Sequence, residues 1–458
     1  MSLLALSSIA TAGAADGIPD PAFGLDGLAW ITPDDVEARQ LHPHAAAVLP
    51  DGRLLFGGFR SRFIPEVPFE PELRAMLARM NADGSVDATF GNTSIPGVVA
   101  LPEIAPDARV QSIEALDVLA DGRVLAVGGA LAPAPVTGFL VRLLADGSVD
   151  TAFGDAGFVR MPYTALHALA IDGDGRIVVA GTNLEDFGDT YGTVARFDAD
   201  GAVDAGFADA GVRVVEWDGA NAGTVDALAL DADGRILVGG RYERGGLASD
   251  AAIARLDADG DFDATFAGSG WRLLVPGDIA SSMNTVQRIA ATADGGIAFA
   301  GQYENPSGRR ALALGRLRAD GSTDTGFGDP ASPGWQRPPI VPDAFVVDAT
   351  DLLVRPDGSL VVSAAYYSPT VESRFLVVRT TADGLPDPAF GEYGVLQPDA
   401  AAGMGSSESA SLALQPDGAL IVAGAAERSE PLIELAVTRL LDGAGGDRIF
   451  ADGFEPTD

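Results

Sequence analysis

Hydrophobic residues in this chain fall in short runs separated by glycine, aspartate and proline. The unit that begins at Gly211 shows the pattern, with GVRVVEW, TVDALAL, RILVGGRY and AAIARLD following one another. Short runs rich in β-branched and aliphatic residues and bounded by turn residues are typical of β-strands, and these runs lack the helical period. The sequence therefore predicts four short antiparallel strands per unit.

The first repeated marker is an Asp-Gly turn followed by an apolar strand. It reads LPDGRLLFGG in the first copy and DADGRILVGG in the fourth. Asp-Gly between apolar strands is a strong hairpin signal, and we expect a type I′ turn, in which both central residues have positive φ. The aspartates of the seven copies are Asp51, Asp121, Asp174, Asp233, Asp294, Asp357 and Asp417.

The second marker combines an arginine, an A-D-G turn, an aspartate and a phenylalanine, as in RLLADGSVDTAFG. Because a guanidinium can hold a carboxylate through two parallel hydrogen bonds, we expect structural ion pairs within or between units, with the phenylalanines packed between units. The arginines are Arg79, Arg142, Arg196, Arg255, Arg316, Arg379 and Arg439. The aspartates are Asp87, Asp150, Asp204, Asp263, Asp324, Asp387 and Asp447. The phenylalanines are Phe90, Phe153, Phe207, Phe266, Phe327, Phe390 and Phe450.

Seven copies of a four-stranded unit predict an all-β fold, a single seven-bladed β-propeller. One unit cannot bury both faces of its sheet, whereas units arranged radially cover one another and leave no long exposed edge. Residues 19–32, PDPAFGLDGLAWIT, repeat PDPAFGEYGVLQ from Pro386. We therefore expect Gly27 to Thr32 to form the outermost strand of the last blade, beside three strands from residues 408–441, and to close the ring. A linear β-solenoid is the alternative.

The two markers resemble those of the bacterial delta-60 repeat family. The resemblance extends from Pro19 to Asp447 and rests on the D-G-R-I-L-V-G-G and R-x-x-A-D-G-S-x-D-x-x-F-G elements. It implies a propeller, here residues 16–447, in a bacterial and often secreted protein. The resemblance brings no catalytic residues with it.

Composition excludes several functional classes. The 458 residues carry a formal net charge of −35, and all 30 basic residues are arginine, so no basic patch large enough for nucleic acid is expected. The chain has no cysteine, which excludes disulfides and thiol catalysis, and no lysine, which excludes a Walker A loop and an S-x-x-K nucleophile. We expect a monomer.

The two ends of the chain carry separate signals. Residues 1–15, MSLLALSSIATAGAA, join an apolar stretch to small residues, as at the end of a secretory signal, but lack its basic start. We predict a signal peptide that starts upstream, with an unstructured apolar terminus as the alternative. The protein is then secreted, periplasmic or on the cell surface, without a membrane span. Residues 448–458 form a tail in which Ile449 to Glu455 resembles an ending of exported bacterial proteins.

One column of the repeat is polar. Neighbouring columns are apolar, so we expect this column to ring the mouth of a central channel. One interpretation is a solvated rim, and the other is a partial metal or acid-base cluster formed by its first three members. The column lies seven residues before each first-marker aspartate and comprises His44, Glu114, His167, Asp226, Gln287, Thr350 and Ala410.

A second candidate site lies nine residues after the same aspartates, where units four to six carry tyrosine. Aromatic faces on neighbouring blades could stack on sugars or peptide side chains, and strand-end packing is the alternative. The residues are Tyr242, Tyr303 and Tyr366, with Tyr367, Arg241, Glu243 and Glu304 beside them. The connections on this face vary whereas those opposite repeat, so a ligand is expected here.

The segment DADGDFD is rich in carboxylates, which Ca²⁺ prefers as ligands. Its spacing does not match an EF-hand loop, because Gly260 comes early and Gly268 stands where a bidentate glutamate would close the site. Turn formation is the main interpretation, weak calcium binding is the alternative, and no other cofactor is predicted. The aspartates are Asp257, Asp259, Asp261 and Asp263.

Three functions remain open. The variable face and the lack of a catalytic motif favour a binding or scaffold module for a protein, peptide or carbohydrate ligand over an enzyme. Glu114, Asp226 and the tyrosines allow a carbohydrate-active or other hydrolase or lyase, which would need two carboxyl groups about 5 to 10 Å apart. A structural secreted protein without a small ligand is the third possibility.

Overall fold

The computed structural model describes residues 17–34, 39–62, 72–131, 136–186, 189–217, 222–243, 249–274, 283–304, 308–338, 346–367, 374–397, 407–429 and 432–441. Within these ranges every regular element is a β-strand. No helix in this part of the chain is long and apolar enough to cross a membrane. The predicted signal peptide, the tail, Asp447 and Phe450 lie outside the described residues.

Two short strands, β1 (Ile18–Pro19) and β2 (Leu28–Ile31), precede the repeats. The first unit comprises β3 (Gln40–Val48), β4 (Leu54–Arg62), β5 (Glu72–Met80) and β6 (Val98–Ala100). The second comprises β7 (Val110–Val118), β8 (Val124–Leu131), β9 (Thr137–Leu143) and β10 (Phe158–Pro162). The third comprises β11 (Thr164–Ile171), β12 (Ile177–Asp186), β13 (Asp189–Phe197) and β14 (Val212–Val215).

The remaining units follow the same plan. The fourth comprises β15 (Ala222–Leu230), β16 (Ile236–Glu243), β17 (Ser249–Leu256) and β18 (Trp271–Leu274). The fifth comprises β19 (Met283–Ala291), β20 (Ile297–Glu304), β21 (Arg310–Leu317) and β22 (Trp335–Gln336). The sixth comprises β23 (Val346–Val354), β24 (Leu360–Tyr367), β25 (Arg374–Arg379) and β26 (Val395–Leu396). The last comprises β27 (Ser407–Leu414), β28 (Leu420–Ser429) and β29 (Leu432–Leu441).

Consecutive strands pair antiparallel within every unit, and the N-terminal strand β2 supplies a fourth strand to the last unit. It pairs antiparallel with β29, with Ala29 opposite Val437. Units three to six are separate four-stranded sheets. The other three units form one mixed sheet, because single parallel pairs, Leu73 with Val110 and Ile433 with Gln40, connect their strands. The first strand of each unit contacts the first strand of the next, and β27 contacts β3.

The Asp-Gly turns differ from the predicted type I′ geometry. In the first copy Gly52 has φ +84, but Asp51 is absent from the non-glycine residues with positive φ. The Gly52 amide donates to the Leu49 carbonyl, and the Leu49 amide donates to the Arg53 carbonyl. This is the three-residue loop in which a glycine with positive φ follows a type I turn. The prediction was wrong because the residue before Asp51 also belongs to the loop.

The repeated arginine forms hydrogen bonds both within its own unit and to the next unit. Arg142 donates from Nε to Asp150 Oδ2 of its own unit at 2.7 Å and from Nη1 to the Ala199 carbonyl of the next unit at 2.6 Å. Its guanidinium lies 4.7 Å from the centre of the Phe153 ring. Charge-assisted hydrogen bonds of this kind are strong and suit the planar guanidinium. The same Nε to Oδ2 contact is made by Arg79, Arg196, Arg255, Arg316 and Arg379.

The repeated phenylalanine fills a space that a glycine leaves in the next unit. Phe153 is fully buried, and Gly201 of the third unit faces it with φ +86. A Cβ atom at Gly201 would lie 2.9 Å from the Phe153 ring, so only glycine fits without displacement. The same arrangement joins Phe90 with Gly147, Phe207 with Gly260, Phe266 with Gly321, and Phe327 with Gly384.

The N-terminal segment supplies the last member of both the arginine–aspartate contacts and the phenylalanine–glycine contacts. Arg439 forms its ion pair with Asp20, although the repeat pattern assigned Asp447 to this role. Phe23 is buried and packs against Gly84 of the first unit, while Gly17 receives Phe390 of the sixth unit. Residues 17–31 therefore supply the aspartate, the phenylalanine and the outer strand of the last unit.

Candidate functional site

A β-bulge occurs at one position in the first strand of every unit. The ladder between β3 and β4 skips one residue between Pro43 and Ala45, so His44 has no opposite residue. The same skip falls at Glu114, His167, Asp226, Gln287, Thr350 and Ala410. The polar column of the sequence is therefore the column of bulged residues. A bulge redirects the side chain it carries, and bulges are frequent beside functional sites.

We call the six polar members, His44, Glu114, His167, Asp226, Gln287 and Thr350, the inner belt. All six are half-buried. They lie near the middle of strands that contact one another from unit to unit. Their position at the mouth of a central channel stays a prediction.

The inner belt is linked by hydrogen bonds that cross from one unit to the next. In each case the bulged residue contacts the residue two positions before the bulge of the following unit. Ser112 Oγ lies 3.1 Å from His44 Nδ1. Thr285 Oγ1 donates to Asp226 Oδ2 at 2.8 Å, and Gln287 Nε2 donates to Asp348 Oδ1 at 2.6 Å. These bonds hold the belt side chains in defined positions.

His44 and Glu114 form the most polar part of the belt, with His44 Nδ1 3.2 Å from Glu114 Oε2. Burial raises the pKa of Glu114, but hydrogen bonds from His44 and Ser112 and the charges of His44 and His167 outweigh it and lower that pKa to about 2. Glu114 is therefore a carboxylate at neutral pH. Ser112 and Glu114 both contact Nδ1, so they do not flank the imidazole as in a Ser-His-acid triad.

His167 contributes charge to this part of the belt. Among the described residues no three histidine or acidic side chains are arranged to hold a metal ion. His42, two residues before His44, stacks on Phe59 with ring centres 4.6 Å apart. Burial, aided by the charge of His44, lowers the pKa of His42 to about 4, so it is neutral at pH 7.

The residue after each bulge also differs between the two halves of the chain, which the sequence reasoning missed. It is alanine in the first four units but Arg288 and Asp351 in the fifth and sixth. Arg288 Nε donates to the Thr350 carbonyl at 2.6 Å. Asp351 accepts the backbone amides of Leu352 and Leu412, both at 2.8 Å, and burial raises its pKa. Comparing this column with its neighbours would have revealed both residues.

The tyrosines of the second candidate site lie in different environments. Tyr242 is half-buried and stacks against Trp271 at 6.4 Å, and Trp271 meets Trp217 edge-on at 6.0 Å. Neither tryptophan was predicted to take part. Arg337 lies over the half-buried Tyr303 ring at 5.3 Å.

The other members of this site differ in their exposure to solvent. Tyr366 is 2% exposed and belongs to the core, whereas the adjacent Tyr367 is 58% exposed. Arg241 and Glu243 form an ion pair at 3.0 Å. Glu304 is exposed. Large parts of the variable connections, including residues 244–248 and 305–307, lie outside the described residues.

Three of the four aspartates considered for calcium, Asp257, Asp261 and Asp263, have other partners for their carboxylates. Asp257 Oδ1 accepts the amides of Asp259 and Asp261, as in an Asx turn. Asp263 accepts from Arg255, and Asp261 pairs with Arg213. These contacts match turn formation and the arginine contact between units.

The fold and the repeated contacts between units define a β-propeller repeat protein. Six segments match the model of a family described as "Domain of unknown function (DUF5122) beta-propeller": residues 49–90, 119–153, 173–207, 232–266, 292–327 and 355–390. Each segment contains both repeat markers. The delta-60 name itself is not tested by this match. A search of curated proteins found no match to the chain.

Solved structures of similar fold have little sequence in common with this chain. The polysaccharide lyase Uly1 has a TM-score of 0.52 at 12% identity, over 88% of this chain and 91% of that one. A polysaccharide lyase described as an ulvan lyase has a TM-score of 0.44 at 10% identity, over 89% and 93%. The PQQ-bound aldose sugar dehydrogenase of Streptomyces coelicolor has 0.38 at 14%, over 73% and 92%. At 12% identity the likeness to Uly1 concerns the fold alone.

Proposed function

We propose that the chain forms one closed, seven-bladed β-propeller that binds a polar ligand at its inner belt. Closure is supported by three contacts of the N-terminal segment: β2 with β29, Asp20 with Arg439, and Phe23 with Gly84. A closed ring also accounts for the contact between β27 and β3. The whole chain would then be a member of the family that six of its segments match, and the delta-60 name remains part of this proposal.

The observation that carries the proposed binding function is the inner belt itself. The residues that pack one unit against the next, namely the repeated arginines and phenylalanines, are the same in almost every unit. The bulge position instead carries five different polar residue types across six units, and all of these side chains are half-buried. Variation at a structurally constant, solvent-reachable position is what a specific binding surface requires.

Electrostatics favour binding over acid-base catalysis at the belt. A general acid or base works best with a pKa near the working pH, and the pKa of Glu114 is held at about 2. The carboxyl group of Asp351, whose pKa burial raises, is engaged by two backbone amides. The hydrolase or lyase alternative has the fold of polysaccharide lyases in its support, which is a weak argument because folds host many functions.

The remaining expectations belong to the same proposal. We infer a secreted or surface-exposed bacterial monomer that needs no cofactor and takes a carbohydrate, a peptide or a protein segment as ligand. Hydrogen bonding to hydroxyl or amide groups suits the amide, carboxylate and hydroxyl side chains of Gln287, Asp226 and Thr350.

The test is a thermal-shift titration of the full chain with calcium, zinc, neutral and acidic oligosaccharides, and peptides. Binding to the folded state stabilises it by about 2.7 kcal/mol when the ligand stands at roughly 100 times its Kd. We expect a saturable rise in Tm with one organic class. Asp226→Asn and Gln287→Ala should abolish it, while Glu216→Gln, a change at an exposed residue outside the belt, should leave it intact. A shift that both belt variants retain, or no shift with any class, contradicts a belt site.

A further inference from the structure

The polar contacts between neighbouring units are fully formed between the fifth and sixth units. The bulged Gln287 and the second-strand residue Gln302 both donate from Nε2 to Asp348 Oδ1 of the sixth unit. Gln302 stands directly opposite Thr285, the residue two positions before the bulge. Three positions therefore meet where two units adjoin. We call such a set, here Gln287, Gln302 and Asp348, a belt triad.

The belt triad between the third and fourth units consists of His167, Thr182 and Thr224. Thr182 is 5% exposed and stands directly opposite Gly192. A Cβ atom at Gly192 would lie 2.5 Å from Val225 of the fourth unit. Directly opposed residues share a face of the sheet, so Thr182 lies on the face that packs against the fourth unit. The repeat thus brings the three side chains to one boundary between units.

Hydrogen bonds do not complete this triad. The hydroxyl oxygens of Thr182 and Thr224 are both buried, and neither has a hydrogen-bond partner in the described part of the chain. Threonine is shorter than the glutamine and aspartate side chains that meet between the fifth and sixth units, which accounts for the difference. A buried hydroxyl group without a partner costs free energy. Two of them at one boundary indicate a polar group that the chain itself does not supply.

The adjoining boundary, between the second and third units, has open space. Its belt triad consists of Glu114, Gly129 and Ala165. A Cβ atom at Gly129 would have nothing within 4 Å, so the place of a long second-strand side chain is free. The Glu114 side chain is 34% exposed. A carboxylate has about four acceptor sites, and the hydrogen bonds from His44 and Ser112 leave some of them available.

We propose that these two adjoining boundaries bind a neutral sugar, whose hydroxyl groups form hydrogen bonds with Glu114, Thr182 and Thr224. The proposal rests on the proposed binding function of the inner belt and adds the place and the chemical class of the ligand. Thr224 is half-buried, and rotation about its χ1 exchanges the hydroxyl and methyl groups, so its hydroxyl can turn towards a ligand.

The chemistry of the three groups selects hydroxyl groups over charged ones. An ionised carboxylate only accepts hydrogen bonds, whereas each threonine hydroxyl both donates and accepts. A ligand hydroxyl group also does both. An ammonium group offers donors only and would leave the two threonine protons without acceptors. A carboxylate ligand offers acceptors only and would meet the negative charge of Glu114.

The experiment is isothermal titration of the full chain with maltose, lactose, cellobiose and sucrose in separate runs. The cation 1,4-diaminobutane and the anion succinate are the charged probes. We expect one saturable site with a Kd of about 1 mM or below for at least one sugar, and none for the charged probes. Absence of saturable binding by all four sugars overturns the proposal. Binding of a charged probe alone overturns the sugar class but leaves a ligand site in the belt.

A variant that fills the open space tests the location. Gly129→Gln places a glutamine where the fifth unit has Gln302, and its Cβ atom has room, so the variant should fold. It should weaken sugar binding about tenfold or more, because the side chain occupies the space of the ligand. Gly173→Gln is the matched control, since Gly173 is exposed and also has nothing within 4 Å of an added Cβ atom. This control should leave the titration unchanged.

A second variant tests the unpaired hydroxyl group itself. Thr224→Val keeps the shape of the side chain, so it should raise the Tm of the ligand-free protein while weakening sugar binding about tenfold. Thr193→Val is its control, because the Thr193 hydroxyl is also buried without a partner but lies on the face opposite Thr182. It should raise Tm and leave the titration unchanged. A purely structural role for Thr224 predicts no loss of binding.

The variants also separate this proposal from the proposed function. If Asp226→Asn abolishes binding while Gly129→Gln and Thr224→Val bind as the wild type does, the ligand lies elsewhere in the belt and this location is refuted. If all three variants bind as the wild type does, the belt site itself is refuted as well.

Discussion

Replacing Phe23 by alanine tests whether the N-terminal segment completes the last unit. Phe23 is 1% exposed and packs against Gly84 of the first unit, with Ala29 and Ile31 in the same core cluster. Phe153 occupies the equivalent place between the second and third units and is fully buried. Phe153→Ala is therefore a matched control inside the array.

The expected magnitude follows from this equivalence. Truncating a buried phenylalanine to alanine costs about 3 to 5 kcal/mol, through lost burial and the cavity left behind. In a closed ring Phe23 has a neighbouring unit on its far side, as Phe153 has, so the two variants should lose the same stability within about 1 kcal/mol. If the array were open at this seam, Phe23 would have lost one side of its contacts, and its replacement would cost about half as much or less.

The assay is equilibrium unfolding in urea, followed by tryptophan fluorescence and by far-UV circular dichroism. Coincidence of the two transitions is required before free energies are compared. A shift of the midpoint for Phe153→Ala with little or none for Phe23→Ala would refute the closed arrangement. Equal shifts support it.

Three further predictions concern the arginine contact, the buried histidine and the glycine positions. Arg255→Lys should lower the free energy of unfolding by about 2 to 3 kcal/mol, because the Arg255 side chain is 2% exposed and a lysine keeps its charge but cannot donate at once to Asp263, the Ala319 carbonyl and Thr265; urea unfolding measures the loss. The pKa of His42 is about 4 in the folded protein against 6.5 in the unfolded chain, so the unfolded state binds the proton first as pH falls. Up to about 3 kcal/mol of the free energy of unfolding should therefore be lost between pH 6.5 and pH 4. His42→Phe should remove this part of the pH dependence, which urea unfolding at several pH values measures. Gly201→Ala should reduce Tm more than Gly175→Ala, because both have positive φ but only Gly201 faces a ring, at 2.9 Å, while nothing lies within 4 Å of Gly175.

The repeat pattern was sufficient to predict an all-β propeller-like array with four-stranded units. The markers recur in register, and turn residues bound every strand, so local preference and long-range repetition agree. The turn type was mispredicted because Asp-Gly alone does not reveal where the loop begins. The role of Asp20 and Phe23 was missed because the C-terminal copy has the same D-x-x-F spacing, and sequence alone does not decide which copy packs against the first unit.

The candidate sites were also predicted from the sequence only in part. The polar column was found from the sequence because its members break an apolar pattern, but nothing local in the sequence marks a β-bulge, so the bulge at this position was not predicted. Trp271 was missed because it lies in a different strand from Tyr242 and meets it only when the sheet forms. The meeting of Thr182 and Thr224 between two units depends on strand register, which a pattern of residue types does not specify.

The most direct test of the closed arrangement uses the absence of cysteine from the chain. Ala29→Cys with Val437→Cys places two thiols on directly opposed residues of β2 and β29, where Cα separations fall within the range that disulfides accept. Closure predicts an intramolecular disulfide on mild oxidation, seen as faster migration on a non-reducing gel and as a cross-linked peptide by mass spectrometry. The mismatched pair Ala29→Cys with Val194→Cys should give no such product. Equal cross-linking of both pairs, or none in the matched pair of a folded protein, would contradict the account.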